Sequence, residues 1–416
     1  MKTSLILAAA LASAAAITPA AAQNRGDDNP TIVVTGKSLA DTERELRECI
    51  ARHCPPDEDI AATLAHAENQ FVAGKYKDAR TTMLAGIGRN KRFAREYPIP
   101  VSDLLRANAR VASHLGESQA YRIGTIESLD AMRAGLSPDD PRVLVQRVEL
   151  ADMEAQFGRF ESAQNGYAAV ARDAHRLGHT RVEAFAMLRG AWLWTAMAKE
   201  DPARYGPRAR RALDALAVRT EPEFRPYAGA ARVIRARLDS DAGDKHAFDA
   251  LIADYVKLPP VTRPVLLYSP PIDLSVLMLP DRRTPDLITD VSDAAPSGVT
   301  SRQTGMGSDD QWIDVIFWIK PDGTTGDVEI ARRGPKRAPL WEQPVLQSIA
   351  ARRYAPLALD PSDPGLMRVE RYTLTSDYTH GASDVTGTRM RNREVNPKVE
   401  MLDLSADPRG DSGKGR

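Results

Sequence analysis

The pattern of hydrophobic and polar positions divides the chain into a long helical region and a shorter region typical of a sheet. From Asp41 onward, apolar residues recur at helical spacing in a stretch rich in Ala, Arg and Leu. This pattern ends at residue 257, and the prolines that follow cannot continue a helix. We therefore predict a helical domain at 41–257, a Pro/Gly-rich linker at 258–310 and a sheet-plus-helix domain at 311–380. Residues 381–416 offer little to bury and are predicted to be a disordered tail.

Glycines recur at a fixed interval in the helical region, because Gly74, Gly116 and Gly158 lie 42 residues apart. Around the first and third of them, four positions match: Ala67 and Ala151, Tyr76 and Phe160, Ala79 and Ala163, Met83 and Tyr167. The unit around Gly116 keeps the turn but lacks the aromatic residue and the Ala in register. The pattern resembles tetratricopeptide repeats, in which the glycine makes the turn between two antiparallel helices. The resemblance implies an α-solenoid whose concave groove takes peptides or partner helices.

The stretch from Trp312 to Gly334 has the two-residue period of a β-hairpin. Ile313, Val315, Phe317 and Ile319 alternate onto one face, and Gly323 and Gly326 allow the turn. A second strand follows at 327–330. An amphipathic helix with an apolar stripe comes next, and a last strand completes the domain; the stripe comprises Trp341, Val345, Leu346 and Ile349.

The order strand, strand, helix, strand resembles the C-terminal domain of TonB and its relatives. The matching features are the alternating strand at 313–319, the Asp322-Gly323 turn, the strand at 327–330 and the Arg-aromatic-x-Pro step at 353–356. The predicted fold is thus α+β and multidomain, with an N-terminal α-solenoid of helical hairpins followed by a small β-β-α-β TonB-like domain. One departure is clear: a TonB energy transducer has a Pro/Lys-rich spacer where this chain has helical repeats.

The second face of the predicted hairpin is unusually apolar. Trp312, Ile316 and Trp318 share that face with Asp314. A small sheet with one helix would leave this face in water, so we expect it to be covered. The segment "PVLLYSP" at 264–270 or the solenoid could supply the cover, and a partner protein is the alternative.

The N-terminus has the pattern of a secretory signal peptide. Lys2 precedes an apolar run from Leu5, and Ala20-Ala21-Ala22 fits a cleavage site before Gln23. Residues 1–22 are therefore predicted to be removed, and residues 23–40 to form a flexible mature N-terminus in the periplasm. The alternative is an uncut inner-membrane anchor. After cleavage no further integral membrane segment is expected.

The chain has two cysteines, Cys49 and Cys54. In an exported protein an even count favours a disulfide. In a continuous helix their Cα atoms would be about 8 Å apart, too far for a bridge. Pro55 and Pro56 predict a helix end that brings them together. A metal pair is the alternative, although no further ligands complete a site.

Charge and motifs favour binding over chemistry. The 56 basic and 56 acidic residues cancel, so no net field attracts nucleic acid. No catalytic, cofactor-binding or metal motif is present, and no cofactor is expected. His175 and His179 lack further metal ligands in the sequence. Arginines between residues 225 and 237 are interpreted as a solvated helix face, with an anion site as the alternative.

These patterns predict an exported, non-enzymatic adaptor that binds a protein or peptide partner, with a TonB-dependent outer-membrane receptor as one candidate. A membrane-anchored energy transducer and an unrecognised periplasmic enzyme are the alternatives. The segment "TIVVTG" at 31–36 resembles the short box of TonB-dependent receptors. The resemblance implies that Ile32, Val33 and Val34 form a strand that occupies a sheet edge. A chance β-branched run packed on the solenoid is the simpler interpretation.

Overall fold

Helices dominate the structure, a computed structural model that describes residues 37–243, 246–256, 264–275, 311–334, 339–375, 378–380, 391–393 and 398–405. Eleven α-helices precede the sheet in this part of the chain, and a twelfth lies within the sheet region. They are α1 (Leu39–Ala51), α2 (Pro56–Val72), α3 (Tyr76–Asn90), α4 (Pro98–His114), α5 (Ser118–Gly135), α6 (Pro141–Gln156), α7 (Phe160–Leu177), α8 (Thr180–Glu200), α9 (Pro202–Ala217), α10 (Arg225–Asp241), α11 (Ala247–Val256) and α12 (Pro339–Ala350), with a short 3-10 helix at Lys91–Phe93.

The described strands form one four-stranded antiparallel sheet and two short pairs. They are β1 (Leu266–Tyr268), β2 (Trp312–Ile319), β3 (Thr325–Arg333), β4 (Arg353–Tyr354), β5 (Leu366–Thr375), β6 (Tyr378–His380), β7 (Arg391–Arg393) and β8 (Lys398–Asp403). The large sheet has the order β3-β2-β5-β8, and β1 pairs with β4 and β6 with β7.

Consecutive helices pack as hairpins, and the even-numbered helices form a second set of contacts along the array: α2 with α4, α6 with α8 and α8 with α10. Small residues allow the close approach within each hairpin. A Cβ atom added to Gly124 would lie 2.9 Å from the Cβ of Ala109, and one added to Gly166 would lie 3.0 Å from that of Ala151. The helical region is therefore a repeat array of hairpins.

The same backbone device ends several helices. Gly74, Gly116 and Gly158 have φ values of +77°, +73° and +74°, which glycine adopts without the steric cost of a Cβ. In each case the next residue donates its N–H to a carbonyl five positions back, as Lys75 does to Gln70 at 2.8 Å. This Schellman geometry satisfies the last helical carbonyls and reverses the chain. The unit around Gly116, despite its weaker pattern, forms a complete hairpin from α4 and α5.

One face of the large sheet packs against α12. The predicted alternation in β2 is confirmed, because Ile313, Val315, Phe317 and Ile319 are all 0–1% exposed in one core cluster. Trp341, Val345 and Ile349 of α12 fill the same cluster, with Leu346 partly buried beside them. The order of strand, strand, helix and strand, and the residues that form the core between the sheet and α12, are thus as the hydrophobic pattern predicts.

Two predicted boundaries are corrected. The proposed linker at 258–310 contributes β1, and its Ile272 and Leu274 pack against the sheet core. The proposed disordered tail at 381–416 contributes β8, which pairs with β5 without a break from Glu370–Asp403 to Thr375–Lys398. Val399 packs against the core of the sheet. The edge of β5 supplies the hydrogen-bond partners for the backbone of β8, which such a short segment would not have on its own.

Candidate functional site

The second face of the sheet lies against the first hairpins of the array. Trp312 packs on the core of α2, α3 and α4, and its ring covers Gly74. Tyr76 Oη and Thr373 Oγ1 lie 3.1 Å apart, and Thr375 donates to the carbonyl of His114 at 3.2 Å. The expectation of an intramolecular cover is therefore confirmed for Trp312, and the solenoid supplies it.

A buried charge pair anchors this interface. Asp314 has no exposed surface and accepts hydrogen bonds of 2.7 and 3.0 Å from Arg371, which is 1% exposed. Arg371 also donates to the carbonyl of Val72 at 2.6 Å and lies over the ring of Trp312. Burial lowers the pKa of Arg371, but the hydrogen bonds and charge of Asp314 outweigh it and raise that pKa overall. The guanidinium thus stays charged at the C-terminal end of α2, where the helix dipole favours a cation.

The sheet also contacts the other end of the array. Leu267 of β1 and Ala355 share a core cluster with Ala236 of α10 and Leu251 of α11. Ala355 donates its N–H to the carbonyl of Val265 at 2.9 Å. We call residues 264–275, 311–334, 339–375 and 398–405 the sheet unit. The sheet unit therefore bridges the first hairpins and the last two helices of the array.

A polar groove lies between α4, α6 and α8, with a volume of about 340 Å³. Glu149 is bonded by Arg106, Arg110 and Gln146 at 3.4, 3.1 and 3.2 Å. Asp152 accepts from Tyr167 at 2.6 Å and from Arg189 at 2.8 Å. Since each carboxylate is held by several donors, the groove presents fixed polar groups.

Burial and the nearby carboxylates raise the pKa of Tyr121, which lines the groove, and of Tyr167, which donates to the groove residue Asp152. Burial is the larger cause at both Tyr121 and Tyr167, and the negative charge of Asp152 adds to it. Both side chains therefore remain neutral phenols at physiological pH. They can donate hydrogen bonds to a ligand or, as Tyr167 does, to a carboxylate.

An apolar pocket of about 530 Å³ lies between α8, α10, α11 and the segment that leads into β1. Trp192 and Leu266 are among its lining residues and are 47% and 40% exposed. Arg189 lines both this apolar pocket and the polar groove, so the two cavities adjoin. Sequence reasoning missed the pocket, because its lining comes from segments far apart in the chain.

The remaining predicted residues are placed as follows. Cys49 and Cys54 lie at disulfide distance, with Cα atoms 5.2 Å apart, where α1 ends and His53 takes a φ of +53°. Gly74, Gly116 and Gly158 occupy the hairpin turns described above. Ile32, Val33 and Val34 lie outside the described residues, as do residues 1–22.

The residues considered for a metal site or an anion site have other partners in the structure. His175 pairs with Glu183 at 3.2 Å, and His179 contacts the carbonyl of Asp139 at 3.1 Å. Within the residues that the structure describes, no group of three or more potential metal ligands occurs. Among the four arginines of the predicted helix face, only Arg225 lines the apolar pocket, whereas Arg232 bonds the carbonyl of Ala217 and Arg235 pairs with Asp239. No described helix combines the length and apolar character needed to span a membrane.

No known family's sequence profile matches the chain, and no curated protein matches it. Solved structures of helical-repeat proteins do match. BtubC (BKLC) from P. vanneervenii is 17% identical over 61% of this chain and 98% of that chain, with a TM-score of 0.42. Two structures of the TPR-like repeats of a Podosopora anserina kinesin light chain, one of them a point variant, are each 14% identical over 47% of this chain. The matches span 92% and 93% of the lengths of those two chains, with TM-scores of 0.38 and 0.37.

Proposed function

We propose that this chain is a non-enzymatic adaptor that binds a partner protein on its helical array. The observation that carries the proposal is the polar groove between α4, α6 and α8, whose charged groups are already held in place. A groove with fixed donors and acceptors can bind a polypeptide without first ordering its own side chains, which lowers the cost of association. The sheet unit supports this role because it fixes the array at both ends.

The sheet unit supplies a second binding element, which takes an extended peptide along the outer edge of β8. The edge strand β3 is protected by two register shifts and by Asp327 with a φ of +51°. By contrast, β8 pairs in unbroken register and exposes 54% of Met401. A regular edge can bind a further strand through main-chain hydrogen bonds.

The chain acts in the periplasm, to which residues 1–22 direct it, and a TonB-dependent outer-membrane receptor is one candidate partner. The resemblance of the ββαβ order to the TonB domain supports this assignment. The arrangement here differs in that β8 already covers the edge of β5, so a partner strand would add to β8 or displace it. Isolation of mature protein beginning near Gln23 in the periplasmic fraction is the expected result. Intact protein retained in the inner membrane would favour the anchored transducer instead.

Site-specific photo-crosslinking tests the binding role. A photoreactive residue at Gln156, which is exposed and lines the polar groove, should capture a partner in cells. The same residue at Phe160 is the control, because Phe160 is 42% exposed but does not line the groove. The captured protein is then purified, and its affinity for the full chain is measured. Equal capture from both positions, or no binding by the purified partner, would contradict the proposal.

The segment containing Ile32, Val33 and Val34 has a role in the same proposal, as a tethered strand that competes for the sheet edge. Val33→Pro removes one backbone donor. Amide exchange of β8 should then become faster, and an added peptide with the sequence "TIVVTG" should bind more tightly. Unchanged exchange and unchanged binding would exclude this competition.

A further inference from the structure

The apolar pocket between α8, α10 and α11 has the composition of a binding hot spot. Trp192, Tyr255, Arg189 and Arg225 line it together with small and aliphatic residues. Trp, Tyr and Arg are the residue types that contribute most to protein interfaces when they surround a central apolar contact. Gly229 forms part of the lining, and its missing side chain keeps the pocket open.

The pocket also has a charge preference. Among the described residues, its lining includes Arg189 and Arg225 but no acidic residue. Arg189 is already bonded to Asp152 at 2.8 Å. The side chain of Arg225 is exposed and has no ion pair or hydrogen bond within the described residues. Burial raises the pKa of the Tyr255 phenol, so this hydroxyl stays neutral and can also donate to an anion.

The position of the pocket favours a polypeptide over a small molecule. Small ligands are usually enclosed over most of their surface, whereas Trp192 and Leu266 are nearly half exposed at this pocket. Arg189 lines both the pocket and the polar groove, so the two sites meet at this residue. A chain that lies along the groove therefore reaches the pocket with its next residues.

We infer that this pocket binds a large apolar side chain of an extended peptide, and that Arg225 binds an acidic residue next to that side chain. The inference rests on the proposed adaptor function and specifies the partner segment. This segment has polar residues where it follows the groove, followed by an apolar residue next to an acidic one. Trp192 and Leu266 form the walls of the anchor site, and Gly229 leaves room for the anchor.

Two capped peptides test the inference by titration into the full chain. One is Gly-Asp-Phe-Glu-Gly, and the other is its charge-reversed counterpart Gly-Lys-Phe-Arg-Gly. Binding is followed by the indole N–H signals of the five tryptophans in a nitrogen-labelled sample. The acidic peptide should shift the Trp192 signal with a Kd of about 1 mM, a value typical of one small anchor. The basic peptide should bind about fivefold more weakly, the discrimination that one exposed ion pair provides.

Variants locate the site. Gly229→Leu fills the pocket, and within the described part of the chain its Cβ would meet only the Tyr255 hydroxyl at 3.5 Å, an ordinary contact. This variant should melt at the same temperature as the unmodified chain, and its Trp192 signal should no longer shift when the acidic peptide is added. Arg225→Gln should bind both peptides equally, and Phe160→Ala is the control that should bind as the unmodified chain does. Trp192→Ala, tested by competition with a fluorescent acidic peptide, is a second way to remove the pocket wall if Gly229→Leu does not fold.

Three results would overturn the inference: equal binding of the two peptides, undiminished binding to folded Gly229→Leu, or binding of 4-phenylbutyrate while neither peptide binds. The last result would assign the pocket to a small amphiphilic acid. Crosslinking from Gln156 in the Gly229→Leu variant separates the two proposals. If capture persists there while the peptides fail to bind, the adaptor function stands and only the anchor assignment fails.

Discussion

The indole of Trp312 lies directly on Gly74, so that a Cβ atom at position 74 would be 2.6 Å from its Nε1. Gly158 occupies the equivalent turn of the third hairpin, and a Cβ atom there would meet no atom of the described residues within 4 Å. Both glycines have nearly the same positive φ. Substitutions at these two glycines therefore distinguish two free-energy costs: that of a side chain in the turn conformation, and that of disturbing the interface with the sheet.

We predict that Gly158→Ala lowers the free energy of unfolding by about 1–2 kcal/mol, the cost of the left-handed conformation. Gly74→Ala should lower it by a further ~1–3 kcal/mol, because the methyl group also overpacks Trp312. Urea denaturation followed by tryptophan fluorescence measures both values. Equal losses in the two variants would show that Trp312 does not rest on this turn in solution.

Phe317 lies in β2 and has no exposed surface. Phe317→Ala should cost about 3–5 kcal/mol, since it removes a buried ring and leaves a cavity under α12. Thermal unfolding of the full chain measures the loss. Met401→Ala on β8 is the control, because Met401 is 54% exposed and should change stability by less than about 0.5 kcal/mol. A similar small change at Phe317 would mean that the faces of β2 are assigned wrongly.

Asp314 compensates the charge of buried Arg371. Asp314→Ala should cost about 3–5 kcal/mol, because it leaves a buried guanidinium without its counterion. The double variant Asp314→Ala with Arg371→Met should be more stable than the single variant. Arg332→Ala is the control, since this other partner of Asp314 is 41% exposed and should contribute at most about 1 kcal/mol. A double variant less stable than the single one would contradict the explanation from buried charge.

Asp59 makes stability depend on pH. Burial alone would raise the pKa of this carboxyl, but hydrogen bonds from Arg89, Asn90 and Thr63 lower it overall below 3.8. The unfolded chain therefore takes up this proton first as the pH falls. The stabilisation is complete well above pH 3.8 and is lost as the pH falls through the folded pKa.

Acid denaturation checks this dependence. Between about pH 5 and pH 3 the unmodified chain should lose more unfolding free energy than Asp59→Asn does. Asp241→Asn is the control at a carboxylate that is 49% exposed, and its pH profile should match that of the unmodified chain. If Asp59→Asn also follows the unmodified profile, Asp59 does not carry the linkage.

Cys49 and Cys54 should be disulfide-bonded in protein purified from the periplasm. So short a loop contributes only about 2 kcal/mol by restricting the unfolded chain. Alkylation under denaturing conditions followed by mass measurement counts the free thiols. Two alkylated cysteines would refute the bridge, and Cys49→Ser with Cys54→Ser should then unfold at the same temperature as the unmodified chain.

The elements that the sequence predicts well are those fixed by local constraints. The hairpin turns follow from glycines that adopt positive φ, and the buried face of β2 follows from strict alternation. Position 76 shows the limit of this reasoning. Tyr76 and Phe160 occupy the same place in their repeats, yet Tyr76 is 0% and Phe160 is 42% exposed, because the sheet unit packs on Tyr76 but not on Phe160.

What the sequence could not predict depends on contacts between distant segments. Asp314 and Arg371 are 57 residues apart, and neither neighbourhood indicates the other. The strand β8 is only six residues long, and its formation depends on the edge of β5. The apolar pocket joins Trp192 to Leu266, which single-sequence periodicity cannot relate.

The contact between Tyr76 and Thr373 joins residues 297 positions apart, and this separation constrains when the protein can complete its fold. The first hairpin is synthesised long before the strand that covers it. Closure of so long a loop is also slow relative to hairpin formation. Until that loop closes, the surface around Gly74 and Tyr76 stays open to solvent, so the first hairpin completes its burial only when the sheet packs on it.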